Sequence, residues 1–290
     1  MIGTDSTKHA IGLRVVSGIF MAGMYICVKA ISEDVPVGEI VFFRSAFAIP
    51  PLIIFLWLRC EFPQGMATKR PIGHLLRASF GAMALFASFA SLTRLNVAEA
   101  MLIAQLSPIL MTIAAVFLLR ERLSLRRLTG LFFGLTGVIV LVWPEIGKSQ
   151  TSDVRLFGYG LALLSATLSA LALIMVRRLN TTESPGAIAF YFMLASMFGA
   201  VLTIPFGWLL PSGLTLLLLI CAGLFGGLAH IALTLAFRYA EVSRLAPFEY
   251  IALLWPILAD LFIFKAPLLS GFLLALPLIL LGGIVAVRER

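Results

Sequence analysis

Two carboxylates interrupt an otherwise apolar run. "RLAPFEYIALLWPILADLFIF" (244–264) holds Glu249 and Asp260 among Ala, Leu, Ile, Phe, Trp and Pro. Arg44 in "FFRSAFAIPPLI" (42–53) and Lys29 in "GMYICVKAI" (23–31) are cations in similar surroundings. Gln105, His230, Tyr250 and Trp255 are polar or aromatic groups inside further apolar stretches. A charge at the centre of a bilayer costs about 2.5–3.5 kcal/mol on insertion scales, so each must face protein or water.

Glu249 follows Pro247, which loosens the backbone beside it. It fits a proton-coupling carboxylate, a partner for a cationic group on a solute, or a structural anchor within a bundle. Arg44 suits bidentate contact with a carboxylate or phosphate, or an ion pair with Asp260 at similar depth. Lys29, near a span end, reads as a snorkelling side chain or a member of the same polar set. His230 can titrate or join helices by a hydrogen bond. Tyr250 and Trp255 can stack on a planar solute or simply pack. Glu121, within "RER", reads as a partner for its flanking arginines.

Composition identifies the solvent around these groups. Hydrophobic residues make up 61% of the 290 positions and charged ones 12%, and mean hydropathy is +1.05. Soluble domains carry about 25% charged residues, so this is a multi-pass membrane protein. Lys8 and Arg14 precede a first apolar run, but that run meets Lys29 and "SEDVPVGE" without a small-residue cleavage site. It therefore reads as a span rather than a cleaved signal.

An apolar helix of about 20 residues crosses the hydrocarbon core. Spans are expected near 12–32, 37–58, 72–92, 97–118, 126–143, 157–176, 187–209, 214–236, 243–264 and 269–287. Lys and Arg cluster on alternate connections, around 59–77, 120–127 and 177–178, while the other side holds Arg94, Lys148, Arg155 and Lys265. That bias predicts cytoplasmic termini. It also accounts for the net charge of +8 without a nucleic-acid partner. Trp57, Trp143 and Trp208 fall near span ends, as interfacial anchors do.

Two halves resemble each other weakly. "VPVGEIVFF" (35–43) aligns with "ESPGAIAFY" (183–191), and "GVIVLV" (137–142) with "GIVAV" (283–287). Sliding 94–121 onto the second half places Gln105 on Glu249. Repeats of five spans, 1–147 and 148–290, would enter the membrane from opposite sides. Such inverted repeats build many secondary transporters, with solute sites near the midplane.

"LSPILMTIAAVFLLRERLSLRRLTGLFFGLTGVIVLV" (106–142) resembles the signature region of the EamA-type transporters of the drug/metabolite transporter superfamily. "FFRSAFAIPPLI" and "SRLAPFEYIALLWPILADLFIF" (243–264) resemble segments of the branch with S-adenosylmethionine and riboflavin uptake carriers. The second repeat has Ala252 where the first has Pro108, and Lys265 in place of the Glu. The resemblance implies an all-α carrier of ten helices as two inverted five-helix repeats in the bacterial inner membrane. It implies alternating-access secondary transport of a small metabolite, such as an amino acid or related compound. A planar or cationic metabolite is the second reading, and protons are a candidate coupling ion.

An intramembrane enzyme or receptor is the rival class. The sequence has no H-E-x-x-H, G-x-S-x-G or P-loop. Its three cysteines, Cys27, Cys60 and Cys221, lack metal or disulfide spacing. No cofactor, metal or catalytic residue is expected. The sequence leaves solute identity, direction and oligomeric state open.

Overall fold

A computed structural model describes residues 4–119, 125–146, 150–211, 213–239, 252–267 and 270–287. Among these residues the regular structure is all helical, with no strand. The helices are α1 (Thr4–Ile31), α2 (Val37–Leu58), α3 (Pro71–Leu92), α4 (Val97–Ala104), α5 (Ser107–Leu119), α6 (Leu125–Val142), α7 (Gln150–Leu179), α8 (Pro185–Val201), α9 (Gly213–Tyr239), α10 (Leu254–Phe262) and α11 (Ser270–Val287). Among the described residues, six helices are long and apolar enough to cross a membrane, and 97–111, 185–201 and 270–285 are shorter apolar helices.

Local sequence explains where several helices begin. Pro71 and Pro185 occupy first helical positions, where a missing N–H costs nothing. Asn96 and Glu99 form a capping box at α4. The Ser184 hydroxyl accepts from the Ala187 amide and donates to the Gly65 carbonyl.

The span expected at 97–118 has the right extent but consists of two helices. Pro108 has no N–H to offer the Ala104 carbonyl. The chain tightens there: the Gln105 amide reaches the Leu102 carbonyl at 3.1 Å and the Leu106 amide the Ile103 carbonyl at 2.9 Å. Gln105 sits at this break, between α4 and α5.

Most of these helices are apolar on every side, so small residues rather than polarity mark the packed faces. On α2 the buried positions are Gly38, Glu39, Ile40, Val41, Arg44, Ser45, Ala48, Leu52 and Leu56, at helical spacing. Ile54, Trp57 and Leu58 stay exposed on the other side, as a lipid-facing surface would. The "GLFFG" spacing lets α6 meet α11: a Cβ on Gly282 would lie 2.7 Å from the Gly130 carbonyl and the Gly134 nitrogen. "GLFGG" (223–227) does the same against α2, since a Cβ on Gly227 would stand 3.0 Å from the Ala48 carbonyl.

Helix partners are mainly distant in sequence. α1 and α2 pack on α9, α3 packs on α7 and α8, α2 crosses α8, and α6 lies against α11.

Candidate functional site

The residues singled out in the sequence fall into separate places. Arg44 and His230 meet in the middle of the bundle. Lys29 and Asp260 lie at one end. Trp255 lines a wholly different groove, and Glu249 and Tyr250 lie outside the described residues.

The middle is built on α2, α3, α8 and α9. Arg44, in the third turn of α2, is buried to 2% exposure. Its Nη2 donates to His230 Nε2 on α9 at 3.3 Å. A guanidinium can only donate, so His230 accepts and carries its proton on Nδ1. Arg44 Nε points to the Met24 sulfur at 3.5 Å, a weak acceptor, and Nη1 has no partner. The guanidinium carbon stands over the Phe192 ring of α8, 5.7 Å from its centroid.

A second arginine shares that ring. The Arg77 guanidinium carbon, from α3, lies 4.3 Å from the Phe192 centroid. Its Nε and Nη1 are buried without hydrogen-bond partners. Counted with the basic connection before span three, Arg77 instead sits more than a turn inside α3, and its head turns inward. The signal was its distance from Pro71, which starts the helix.

Glycines make the room. A Cβ on Gly226 would lie 3.1 Å from Arg44 Nε, and one on Gly81 would collide with Arg77 Nη1. Tyr25 OH and Ser88 Oγ, 2.9 Å apart, add polar atoms between α1 and α3. A narrow pocket between α2, α8 and α9 is walled by Leu52, Phe55, Gly186, Met193 and His230, so His230 joins it to the arginines.

The expected Arg44–Asp260 pair does not form. Asp260 is fully buried on α10 and accepts from the amides of Val97 at 3.1 Å and Ala98 at 2.7 Å. A carboxylate there satisfies two orphan donors and meets the positive end of the α4 dipole. Lys29 is not a free snorkelling cation. Its Nζ donates to the Leu92 carbonyl at 2.7 Å, capping the C-terminus of α3.

Glu99 completes this end. It accepts from the Asn96 amide at 3.1 Å, from Arg155 Nη2 at 2.8 Å and from Tyr159 OH at 2.8 Å. Arg155 Nε also faces Glu145 at 3.3 Å. The "NVAE" pattern (96–99) makes Glu99 legible as a capping residue, but its link to α7 is tertiary.

At the opposite end, Glu183 ties the α7–α8 connection to the one before α3. It accepts from His74 Nε2 at 3.2 Å and from the Lys69 amide at 3.1 Å. Burial pushes the Glu183 carboxyl up, but hydrogen bonds from His74, Lys69 and Thr68 outweigh it and hold it below the usual range. Glu39 plays a reciprocal part on α2, accepting from the Leu209 amide at 3.0 Å.

Trp255 lines an apolar groove between α1 and α10 with Ile19, Ala22 and Phe262. Its Nε1 is buried without a partner. Among the described residues no cluster of His, Cys, Asp or Glu could hold a metal ion.

Residues 9–143 match the EamA-like transporter family. The chain is 29% identical over 258 residues to the pseudopaline exporter CntI of Pseudomonas aeruginosa, covering 87% of this chain and 86% of that protein. It is 29% identical over 228 residues to a riboflavin transporter of Rhizobium johnstonii, covering 78% and 73%. It is 27% identical over 230 residues to an S-adenosylmethionine uptake transporter of Rickettsia felis, covering 78% and 74%. A solved crystal structure with 21% identity superposes with a TM-score of 0.67 over 95% of this chain and 97% of that one, a likeness of fold.

Proposed function

Starting from a multi-pass bacterial membrane protein that belongs to the EamA-like transporters of the drug/metabolite transporter superfamily, we propose a secondary carrier working by alternating access. Two inverted halves, 1–147 and 148–290, move about the centre of the bundle. The solute is a small metabolite, moved across the inner membrane without ATP. Both termini are cytoplasmic, which puts Glu183 and His74 at the inner end and Glu99 and Asp260 at the outer end.

One observation carries the reading. The alignment of 35–43 with 183–191, continued by one residue, makes Arg44 and Phe192 equivalent, and these two residues meet face to ring. Gly38 and Gly186 are also equivalent, and each abuts the far end of the other's helix. A Cβ on Gly38 would strike Thr203, and one on Gly186 would lie 2.7 Å from Leu56. Equivalent positions that contact each other reciprocally are expected beside a twofold axis. The pairings α1–α9 with α3–α7, and α2–α9 with α3–α8, exchange under the same relation.

The polar sets at the two ends join segments from different halves. Glu99 with Arg155 does so on one side, and Glu183 with His74 on the other. Each is a contact that a rocking motion would have to open. Purified protein in liposomes is expected to move a small metabolite down its own or an ion's gradient with no ATP present; a strict ATP requirement overturns the reading. A cysteine placed at Thr68 should be labelled only from inside and one at Leu210 only from outside. Labelling of both from one side removes the inverted repeat.

A further inference from the structure

We infer that Arg44 and Arg77 together bind the anionic group, a carboxylate or a phosphate, of the solute. The inference rests on the carrier reading and gives its solute a chemical class. It starts from unmatched donors. Arg44 Nη1 and Arg77 Nε and Nη1 are all buried with no acceptor, and both guanidinium groups stand over one ring. Among the described residues no carboxylate lies within ion-pair distance of either.

The described buried acids bond to other partners: Asp260 to α4, Glu99 to Arg155, Glu183 to His74, and Glu39 to Leu209 through one oxygen, its Oε1 having no hydrogen-bond partner. A cation–π contact offsets only part of the cost of burying a cation. Two adjacent cations with spare donors in one apolar place lack an acceptor that is planar or multidentate and negatively charged. Arginine forks match carboxylate and phosphate geometry.

The surroundings suit a transient guest. Gly226 and Gly81 admit the guanidinium heads, which fill the space where a Cβ would stand. The pocket between α2, α8 and α9 ends on His230, which touches Arg44. A solute whose only charge is positive would be repelled here. The alternative is a carboxylate of the chain itself, in residues 240–251, which would neutralise the pair permanently.

The test uses the purified full chain in detergent micelles. Sodium phosphate and sodium succinate probe the two oxyanion classes against sodium chloride at equal ionic strength, with melting temperature as readout. Wild-type protein should be protected by at least one, and which one names the source. Arg44→Gln and Arg77→Gln should each raise the concentration needed at least tenfold, while Arg59→Gln, on the surface, should not. Without ligand, both variants should melt no lower than wild type, since each loses an unmatched buried charge.

The lysine variants keep the charge but not the fork, and should melt near wild type with weakened protection. Protection by neither oxyanion overturns the inference, as does protection unchanged in all the Arg44 and Arg77 variants. A large loss of stability in the empty glutamine variants that the lysine variants do not share also overturns it, because it shows an internal counter-charge. If oxyanions protect but loaded vesicles transport nothing, the site stands and the carrier reading falls. Transport of a neutral solute unaffected by either glutamine substitution does the reverse.

Discussion

The Asp260 end and the middle of the bundle both bury charge, but they treat it differently. At the Asp260 end every named charge has a partner: Asp260 has two amides, Glu99 an arginine, a tyrosine and an amide, and Lys29 a helix carbonyl. In the middle, two arginines share one aromatic ring and leave donors unmatched. Matched charge fixes how helices meet. Unmatched charge is a cost the protein carries without structural return, and such costs concentrate where a ligand acts.

The largest effect should come from the matched end. Asp260→Ala strands the Val97 and Ala98 amides in the interior. Two hydrogen bonds to a charged group are worth about 4 kcal/mol together, so denaturant unfolding in micelles should show a loss of that order. A small loss would mean the cap is replaceable by water and the end is looser than its contacts imply.

Arg44→Gln should show the opposite pattern. Transport is expected to fall about a hundredfold, in the range for truncating one partner of a buried charge contact, while the empty protein keeps its stability. Parallel loss of stability and transport would erase the contrast between the two regions.

A double-mutant cycle on Glu99→Gln and Arg155→Gln sharpens it. The two groups lie 2.8 Å apart with Glu99 buried, and directly contacting residues couple by about 0.5–3 kcal/mol. A coupling near 1–2 kcal/mol in micelle unfolding is expected. Additive single effects would assign Glu99 to α4 capping alone.

The smallest effect concerns acid. Glu183 titrates below its ordinary value of 4.5 because hydrogen bonds to the charged form outweigh burial. A depressed carboxylate adds stability that is complete above the unfolded value and is lost as pH falls through the folded one. Wild-type protein should therefore lose stability below about pH 4.5 more steeply than Glu183→Gln. Identical acid profiles would show that His74 and Lys69 do not favour the charged form.

Much of this molecule was legible before any coordinates. The composition required a membrane, and most apolar runs placed helices, because a helix must satisfy its own backbone in lipid. The run expected at 187–209 ends as a helix at Val201, the helix expected at 157–176 begins at Gln150, and the run at 243–264 is described as a helix only over Leu254–Phe262. The run around Pro108 reads as one span, and the break between α4 and α5 appears only in the structure. Arg44 and His230 are both legible as expensive residues, since an ionisable group in hydrocarbon needs a partner or water.

What the sequence could not decide was who faces whom. Arg44 and Asp260 are opposite charges at similar depth, and complementarity alone suggests they pair. Tertiary packing gives Asp260 to the N-terminus of α4, where two free amides compete successfully for it, and gives Arg44 to His230 and Phe192. Arg77 looked like a loop charge because position along a helix does not say which way a long side chain turns. Depth in the membrane is a one-dimensional property that hydropathy and spacing report. Partnership depends on rotation and crossing of helices far apart in the chain, and that is set by small residues such as Gly81 and Gly226, whose meaning appears only when their neighbours are in place.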